Sequence, residues 1–394
     1  MPELRQLLAV YEEVVRALDA RELTRAAAAK APAPGAGGKL VVLGLGKVAA
    51  EMAEGAPRGA EAVLVVPADA PEPAGARVFH GGHPLPDAGS LRAGEALLAA
   101  GQGLQPADAV LWLVSGGGSA LAEAPHPGLS LDDVRAVNQA LLDSGAPIEE
   151  MNCVRAHLSR LKGGGLARAL HAAGVSRARA LVAVDVPVGG VRAVSSGPAI
   201  GDPTTCADAL GLARKYALPE AATRVRETLK PGDPADFIEH EAICDLRSPA
   251  QEAARRAGAR MLESPVRGSV EAFAQALSAV RGFVSASGEL EVRVPRGAPP
   301  GGRDQHLALL MAQALRGQRG AAFLAAGTDG RDGPTSSAGA TVDGSTWEEA
   351  ERRGLDPARA VAEFDAARVL GALGLLIPAR HTGAHAGDLF LLRR

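Results

Sequence analysis

The sequence predicts an α/β protein of two domains, of which the first is built on a mainly parallel sheet. The chain has 394 residues, more than one hydrophobic core usually supports. From residue 39 to residue 186, short β-branched runs alternate with helical patterns, which is typical of βαβ units in a sheet covered on both faces. This rhythm changes after the proline-containing stretch 231–234. We therefore expect one domain over residues 1–236 and a second over residues 237–394.

The first half of the chain opens with an amphipathic helical pattern over residues 4–29. The stretch 31–38, rich in alanine, proline and glycine, ends that pattern. The predicted strands then cover 40–43, 62–66, 109–114 and 180–186, with a strand or a turn near 77–80. One predicted helix starts at Lys47, and three others cover 89–100, 131–143 and 149–172. The last of these is interrupted at 162–165.

The second half has a different rhythm. Ser287-Gly288 predicts a turn that joins strands 281–285 and 289–294 into a hairpin. The remaining predicted elements are strands at 241–244, 259–262, 321–326 and 388–392 and helices at 304–315 and 346–353.

Composition restricts the classes of partner. Lys and Arg number 42 against 45 Asp and Glu, a net charge of −3 that leaves neither a basic face for nucleic acid nor a polybasic membrane segment. No apolar run approaches the roughly 18 residues that a membrane span needs. Cys153, Cys206 and Cys244 lie far apart in the sequence, which argues against a disulfide framework or a zinc ribbon. We expect a cytoplasmic protein that acts on a small molecule.

A glycine-rich loop follows the apolar run 109–114. It reads Ser115-Gly116-Gly117-Gly118-Ser119, and helix-forming residues resume at Ala120. Glycine allows a ligand to approach the backbone, and a new helix offers unpaired N–H groups, so this pattern favours a phosphate or carboxylate site. The alternative is an ordinary turn between strand and helix.

A second glycine turn, Gly44-Leu-Gly46-Lys47-Val-Ala49, fits the dinucleotide-binding fingerprint, with Asp69 as the acid that follows. Lys47 lies inside the turn, however, where a bound pyrophosphate normally meets only backbone. A lysine beside glycines is better suited to clamp a phosphate or carboxylate. The alternative for Lys47 is a solvated surface lysine.

The densest polar cluster covers residues 327–339, directly after the apolar run 321–326. Its aspartates Asp329 and Asp332 are the kind of ligands that Mg²⁺ uses together with phosphates. The alternative is a loop in which both aspartates only cap backbone. Phosphoryl transfer also needs cations, which Arg155, Lys162 and Arg303 could supply, although each alone reads as a solvated residue.

Several motifs in order resemble those of glycerate kinases in which an amino-terminal domain precedes a MOFRL domain. They are Gly44–Ala53, Gly82–Asp87, Ser115–Leu121, Ser144–Ile148, Asn152–Gly164, Ser196–Pro198, Gly301–Arg303 and Gly327–Ala340. The resemblance implies a Rossmann-like domain, a second α/β domain with a mixed sheet, and an active site in the cleft between them. It also implies transfer of the ATP γ-phosphate to D-glycerate with Mg²⁺, with 2-phosphoglycerate as the favoured product. A homodimer stays open.

The resemblance and the residue chemistry together indicate the site residues. We expect Lys47 and Arg303 to hold phosphate or the glycerate carboxylate, and Asp185 and Asp329 to orient the metal and the reacting hydroxyl. With Asp332, the two aspartates are the expected Mg²⁺ ligands. The expected nucleotide-binding residues are Ser115, Gly116, Gly117, Gly118, Ser119, Asn152, Arg155, Lys162, Gly163, Gly164, Thr328, Gly330 and Thr335.

The chain departs from the family pattern at a few positions. Val188-Gly189-Gly190 stands where the family has further acids, and Asp304 stands where it has asparagine after Gly-Gly-Arg. The motif near the carboxyl terminus is altered at 384–387. Two other functions therefore stay open: an NAD(P)-dependent hydroxypyruvate reductase, resting on the Gly44 turn, and a non-catalytic protein that binds sugar acids.

Overall fold

The computed structural model describes residues 2–394, which divide into two compact units. One unit is Ala20–Ile243, and the other joins the residues up to Asp19 to Cys244–Arg394. The expected boundary at 236/237 therefore lies close to the division between the units, whereas the opening helical pattern is divided. Helix α1 (Pro2–Ala17) belongs to the second unit, where the Tyr11 hydroxyl donates to the Gly327 carbonyl at 2.8 Å.

The first unit is built on a six-stranded sheet. Its strands are β1 (Leu40–Leu45), β2 (Glu61–Val66), β3 (Ala76–His80), β4 (Ala109–Val114), β5 (Arg177–Ala183) and β6 (Glu239–Cys244). They lie in the order β3-β2-β1-β4-β5-β6, and the pairs from β3 to β5 are parallel. This is the doubly wound strand order, and it confirms the Rossmann-like expectation. The order reverses between β1 and β4, so the loops after these strands lie at the topological switch point, where such sheets bind ligands.

Helices cover this sheet because its central strands are apolar on both faces. All six residues of β4 are buried. The helices are α2 (Ala20–Ala27), α3 (Ala49–Gly55), α4 (Ala88–Gln102), α5 (Gly118–Leu121), α6 (Leu131–Asp143), α7 (Ile148–His157), α8 (Gly165–Ala172) and α9 (Cys206–Lys215). Capping boxes at Asp87, Ser130 and Thr205 fix the starts of α4, α6 and α9.

The second unit contains the mixed sheet that the resemblance implied. Its strands are β7 (Arg260–Met261), β8 (Phe283–Gly288), β9 (Ala322–Gly327), β10 (Ser337–Asp343), β11 (Leu376–Pro378) and β12 (Asp388–Arg393), in the order β11-β10-β9-β12-β8-β7. Only β7 and β8 pair in parallel among these strands. Its other helices are α10 (Ser248–Ala257), α11 (Val270–Ser278), α12 (Arg303–Ala314), α13 (Thr346–Arg352), α14 (Pro357–Ala362) and α15 (Ala366–Ala372).

The predicted hairpin across Ser287-Gly288 is wrong. Both residues lie within β8, which pairs antiparallel with β12, and residues 289–294 form no regular strand. The Ser287 hydroxyl is buried and donates to the Leu246 carbonyl at 2.6 Å, so a residue that resembles a turn former is held inside the sheet. The strand expected at 241–244 in the second domain is present as β6, but it belongs to the sheet of the first unit. No helix within residues 2–394 is long and apolar enough to span a membrane.

Candidate active site

In the first unit, the two glycine loops contact each other at the carboxyl ends of β1 and β4. The Lys47 amide donates to the Gly116 carbonyl at 2.9 Å, and the Val48 amide donates to Ser115 Oγ at 3.2 Å. Gly46 has a φ of 129°, and a Cβ on it would lie 2.3 Å from Ser115 Oγ. The close contact between the loops therefore requires glycine at position 46.

The Lys47 side chain lies along the glycine loop. Gly117 has a φ of 86°, and a Cβ there would lie 3.1 Å from Lys47 Cγ, 3.2 Å from Lys47 Cε and 3.5 Å from His83 Cδ2. Lys47 forms no ion pair with the residues that the structure describes in its own unit. This arrangement leaves a cation beside a bare stretch of backbone, as an anion site requires.

Asp185 is held at the same loop. A Cβ on Gly116 would lie 1.5 Å from Asp185 Oδ2 and 2.3 Å from its Cγ, so the carboxylate lies directly against the Gly116 backbone. Lys47, Gly116, Gly117 and Asp185, four of the predicted site residues, are thus neighbours in the first unit.

Ser119 and Asn152 are joined through a residue that was not among the predicted site residues. Ser196 Oγ donates to Asn152 Oδ1 at 2.8 Å, so the 2.8 Å contact between Ser119 Oγ and Ser196 Oγ uses the Ser119 proton. The adjacent Ser195 Oγ donates to the Ser115 carbonyl at 2.8 Å. Ser195 and Ser196 have φ values of 55° and 59°, a left-handed conformation uncommon outside glycine. Backbone strain of this kind often marks a functional loop. In the sequence, the Ser-Gly-Pro motif at 196–198 was the one signal for this loop.

Lys162 is buried in the first unit, and Arg155 is half-buried there. The Lys162 ammonium pairs with the Glu123 carboxylate, and both side chains are at most 3% exposed. Burial lowers the pKa of Lys162, and Glu123 opposes that shift. Arg155 Nε donates to Asn138 Oδ1 at 2.6 Å, and burial lowers the pKa of Arg155 to about 10.

The glycines that follow Lys162 use their amides within the fold. The Gly163 and Gly164 N–H groups donate to the carbonyls of Ser196 and Gly197 at 3.0 and 2.8 Å. The predicted nucleotide-binding roles of Lys162, Gly163 and Gly164 therefore compete with structural roles in this arrangement.

In the second unit, Arg303 is the first residue of α12. Its Nε and Nη2 donate to the two Asp388 oxygens at 2.7 and 3.2 Å, and its Nη1 donates to Glu289 Oε1 at 3.0 Å. Burial opposes the charge of Arg303, but Asp388 outweighs it and raises the pKa of Arg303 above its usual range. Burial also raises the pKa of Asp388 to about 7, despite the neighbouring guanidinium. Asp388 was not among the predicted site residues.

Asp332 caps the start of the same helix. Its carboxylate oxygens accept the N–H groups of Asp304 and Gln305 at 3.1 and 2.8 Å. Burial raises the pKa of Asp332 to about 6, although these backbone hydrogen bonds oppose the shift. Thr335 Oγ1 accepts from the Gln305 side chain at 2.8 Å and donates to the Asp332 carbonyl. Asp332 and Thr335 thus shape the α12 terminus.

Asp304 lies between these carboxylates. It is 1% exposed, and neither of its carboxylate oxygens has a hydrogen-bond partner among residues 2–394. Burial first, and then Asp388 and Asp332, raise the pKa of Asp304 well above its usual range. The sequence offered one signal, an acid where the family has asparagine.

The loop after β9 is tied to the segment that precedes β12. Thr328 Oγ1 donates to the Gly387 carbonyl at 2.6 Å and accepts from the Ala386 amide at 3.0 Å. Gly330 packs on the Arg380 carbonyl, 2.0 Å from where its Cβ would lie. Asp329 Oδ1 accepts from the Arg331 amide at 2.9 Å, which makes an Asx turn.

Comparison with known proteins agrees with both units. Residues 6–230 match the model of a domain of unknown function, DUF4147, and residues 283–388 match that of the MOFRL family. A D-glycerate 2-kinase of Thermotoga maritima is 35% identical over 80% of this chain and 79% of its own. An Agrobacterium vitis protein with the provisional name of a hydroxypyruvate reductase is 35% identical over 89% and 86%.

A solved structure has the same fold over nearly the whole chain. The crystal structure of a glycerate kinase from Thermotoga maritima superposes with a TM-score of 0.89 at 29% identity and covers 99% of both chains. The chain belongs to the family in which a DUF4147 domain is followed by a MOFRL domain, the family of the Thermotoga D-glycerate 2-kinase.

Proposed function

We propose that this protein is a glycerate kinase that transfers the γ-phosphoryl group of ATP to a hydroxyl of D-glycerate, with 2-phosphoglycerate as the favoured product. The relatives named as glycerate kinases support the substrate. The observation that carries the proposal is the position of Lys47 along the bare Gly117 backbone at the switch point of the sheet. A fixed cation over a glycine loop is suited to a phosphate in transfer.

The same loops argue against the reductase alternative. A dinucleotide turn leaves its backbone N–H groups free for the pyrophosphate. Here the Lys47 and Val48 amides donate to Gly116 and Ser115, and the Ala49 amide donates to the Gly46 carbonyl at 3.3 Å. The amides of the Gly44 turn are thus engaged within the protein, and we infer that this turn supports the adjacent loop rather than a nicotinamide nucleotide.

The proposed chemistry assigns a role to each residue. The glycerate hydroxyl oxygen forms the new bond to the γ-phosphorus, the bond from that phosphorus to the bridging oxygen breaks, and ADP leaves. Asp185 orients the hydroxyl, and one of its carboxylate oxygens takes the hydroxyl proton. Lys47 neutralises negative charge on the phosphoryl oxygens. In the second unit Arg303 holds an anionic group, and Asp388 fixes the plane of its guanidinium.

Mg²⁺ is the expected cofactor, and the carboxylates differ in their fit to it. Asp185 in the first unit and Asp329 in the second each offer the hard oxygen ligands that this cation prefers, so each is proposed as a Mg²⁺ ligand within its own unit. Asp332 fits less well, because both of its oxygens already accept helix N–H groups. When bound, Mg²⁺ supplies charge neutralisation and orientation of the phosphates.

A cytoplasmic location is part of the proposal. All three cysteines are free thiols, as in proteins of a reducing compartment.

The direct test is ADP release from purified protein with ATP, Mg²⁺ and D-glycerate, beside NADH oxidation with hydroxypyruvate. The kinase requires ADP that appears only with D-glycerate, and ³¹P NMR of the product distinguishes the 2- from the 3-phosphate. Lys47→Ala is expected to lower kcat by about 10²–10³, as the loss of one charge-stabilising group does. Lys39→Ala is the matched control, because Lys39 pairs with Glu61 on the surface of the same unit. NADH oxidation without ADP release would establish the reductase instead. The absence of both signals would favour a non-catalytic binding protein.

A further inference from the structure

His157 ends helix α7 in the interior of the first unit and is fully buried. Its Nδ1 lies 2.8 Å from the carbonyl oxygen of Cys153, one helical turn earlier. A carbonyl oxygen can only accept, so Nδ1 carries a proton, and in the neutral form of the ring Nε2 then has the lone pair. A histidine that binds a metal is commonly oriented in this way, through its other ring N–H.

The Nε2 lone pair faces two further ligand-type atoms. Glu227 Oε1 lies 3.4 Å away, yet Nε2 has no hydrogen-bond partner among the described residues. Cys206 is the third residue, and the ligand atoms of His157, Cys206 and Glu227 all lie within 4.8 Å of one another. A lone pair aimed at carboxylate oxygens is repulsive unless a cation or a proton lies between them.

The distance between His157 Nε2 and Glu227 Oε1 distinguishes a bound cation from a shared proton. A hydrogen bond between a ring nitrogen and an oxygen spans about 2.7–3.2 Å. Two ligand atoms at about 2.0–2.1 Å from a tetrahedral ion are about 3.4 Å apart. The observed 3.4 Å corresponds to the second distance.

We propose that His157 Nε2, Cys206 Sγ and the Glu227 carboxylate bind a Zn²⁺-type divalent cation, with a fourth position open to water. A set of one nitrogen, one sulfur and one oxygen suits zinc, whereas Mg²⁺ and Ca²⁺ take oxygen ligands. A thiolate and a carboxylate together balance the charge of the ion. Glu227 is half exposed, so a cation can enter from that side.

Lys230 competes for the same carboxylate. Its Nζ lies 2.5 Å from Glu227 Oε1. It also donates to Thr228 Oγ1 at 2.7 Å and to the Thr204 carbonyl, so it keeps partners when it leaves Glu227. Removal of the Lys230 charge is therefore expected to tighten metal binding.

The ion would join three segments that lie far apart in the sequence. Cys206 begins α9, His157 ends α7, and Glu227 lies in the irregular segment 224–230. The Arg226 amide donates to the His157 carbonyl at 2.9 Å, and the Leu229 amide donates to the Gly163 carbonyl at 2.9 Å. The role we infer is structural, since a bound ion stabilises the folded state by its binding free energy.

The test uses Co²⁺ as the probe on full-length protein freed of metal with a chelator, in buffer without nucleotide. We expect one equivalent to bind, with the near-ultraviolet absorption of a thiolate–cobalt bond, and Zn²⁺ to displace it while millimolar Mg²⁺ does not. Cys206→Ser should lose the thiolate absorption, and Lys230→Gln should keep it and bind more tightly. Cys244→Ala is the matched control and should resemble the wild type, because that buried cysteine is not among the three proposed ligands.

Circular dichroism melting shows that each variant is folded, and Zn²⁺ should raise the melting temperature of the wild type but not of Cys206→Ser. If the wild type binds no stoichiometric Co²⁺, the contact is an imidazolium–carboxylate pair and the proposal is overturned. It is also overturned if Cys206→Ser keeps the absorption. The result does not depend on kinase activity, which is measured separately with Mg²⁺ and ATP.

Discussion

The carboxylate of Asp388 accepts from two Arg303 donors, with Nε 2.7 Å from Oδ2 and Nη2 3.2 Å from Oδ1. The Asp388 side chain is 4% exposed and that of Arg303 is 30% exposed. Strand β12 thus fixes a cation at the start of helix α12 in the same unit, with a geometry that lysine could not adopt.

Asp388→Asn is predicted to lower both activity and stability. The amide cannot balance the guanidinium, which is 30% exposed and keeps Glu289 as a second partner, so the free energy of unfolding should fall by about 1–3 kcal/mol. Urea unfolding measures this loss, and kcat/KM for glycerate should fall with it. Glu289→Gln is the control on the same guanidinium, because Glu289 is 43% exposed and should cost at most about 1 kcal/mol. Equal losses in the two variants would contradict the assignment.

Asp304→Asn is predicted to stabilise the protein at pH 8 more than at pH 5. The pKa of Asp304 is raised in the folded state, so the folded carboxyl is protonated where the unfolded one is ionised. Its unfavourable contribution therefore grows as pH rises above about 4, by up to about 1.4 kcal/mol per pH unit until its folded pKa is reached.

Melting temperatures of both proteins from pH 5 to pH 8 measure the effect of Asp304→Asn. Other groups titrate in the same range: Asp332 with a pKa raised to about 6, and histidines such as His126 with a pKa lowered to about 4. The difference between variant and wild type removes the contribution of His126, whereas Asp332 and Asp388 titrate together with Asp304, whose pKa they raise. A difference that does not change with pH would show that Asp304 is ionised in both states.

Gly116→Ala is predicted to abolish most activity while the fold persists. The new methyl group would lie 1.5 Å from Asp185 Oδ2, so the carboxylate must move away from the loop. A displacement of about 1 Å at a reacting group costs about 10² in rate. Gly211→Ala, on helix α9 with no atom near its added Cβ, is the control and should be neutral or slightly stabilising. Full activity in Gly116→Ala would remove Asp185 from the proposed mechanism.

The strands of the first sheet and their mainly parallel arrangement were within reach of the sequence because β-branched runs and glycine turns are local signals. β4 was predicted with its observed bounds, and the loop from Ser115 to Ser119 was expected after it. The contact between this loop and the Gly44 turn follows from the doubly wound order, since parallel strands bring their carboxyl ends to one edge.

Long-range partners were beyond the sequence. Nothing local shows that Asp388 meets Arg303, 85 positions earlier, or that α1 packs with the second unit. The burial of Lys162 could not be predicted either. A lysine beside glycines has the same local sequence pattern whether it is solvated or paired with a carboxylate in the core. The left-handed serines at 195 and 196 are likewise held by tertiary contacts rather than by their own preference.

The pair of Lys162 and Glu123 allows a test between a structural and a nucleotide-binding lysine. The two side chains are 1% and 3% exposed, so Lys162→Met leaves the Glu123 charge buried alone and should cost about 3–5 kcal/mol. The double variant Lys162→Met, Glu123→Leu leaves no unpaired charge and should recover most of that stability. Urea unfolding of the wild type, both single variants and the double variant gives the coupling energy.

The KM for ATP separates the two roles of Lys162. If Lys162 only balances Glu123, the double variant should regain the wild-type KM together with its stability. If its ammonium also binds a nucleotide phosphate, the double variant should be stable and still have a raised KM, because no cation has been restored. The geometry favours the first result, since the Lys162 charge is already met by a carboxylate inside the unit.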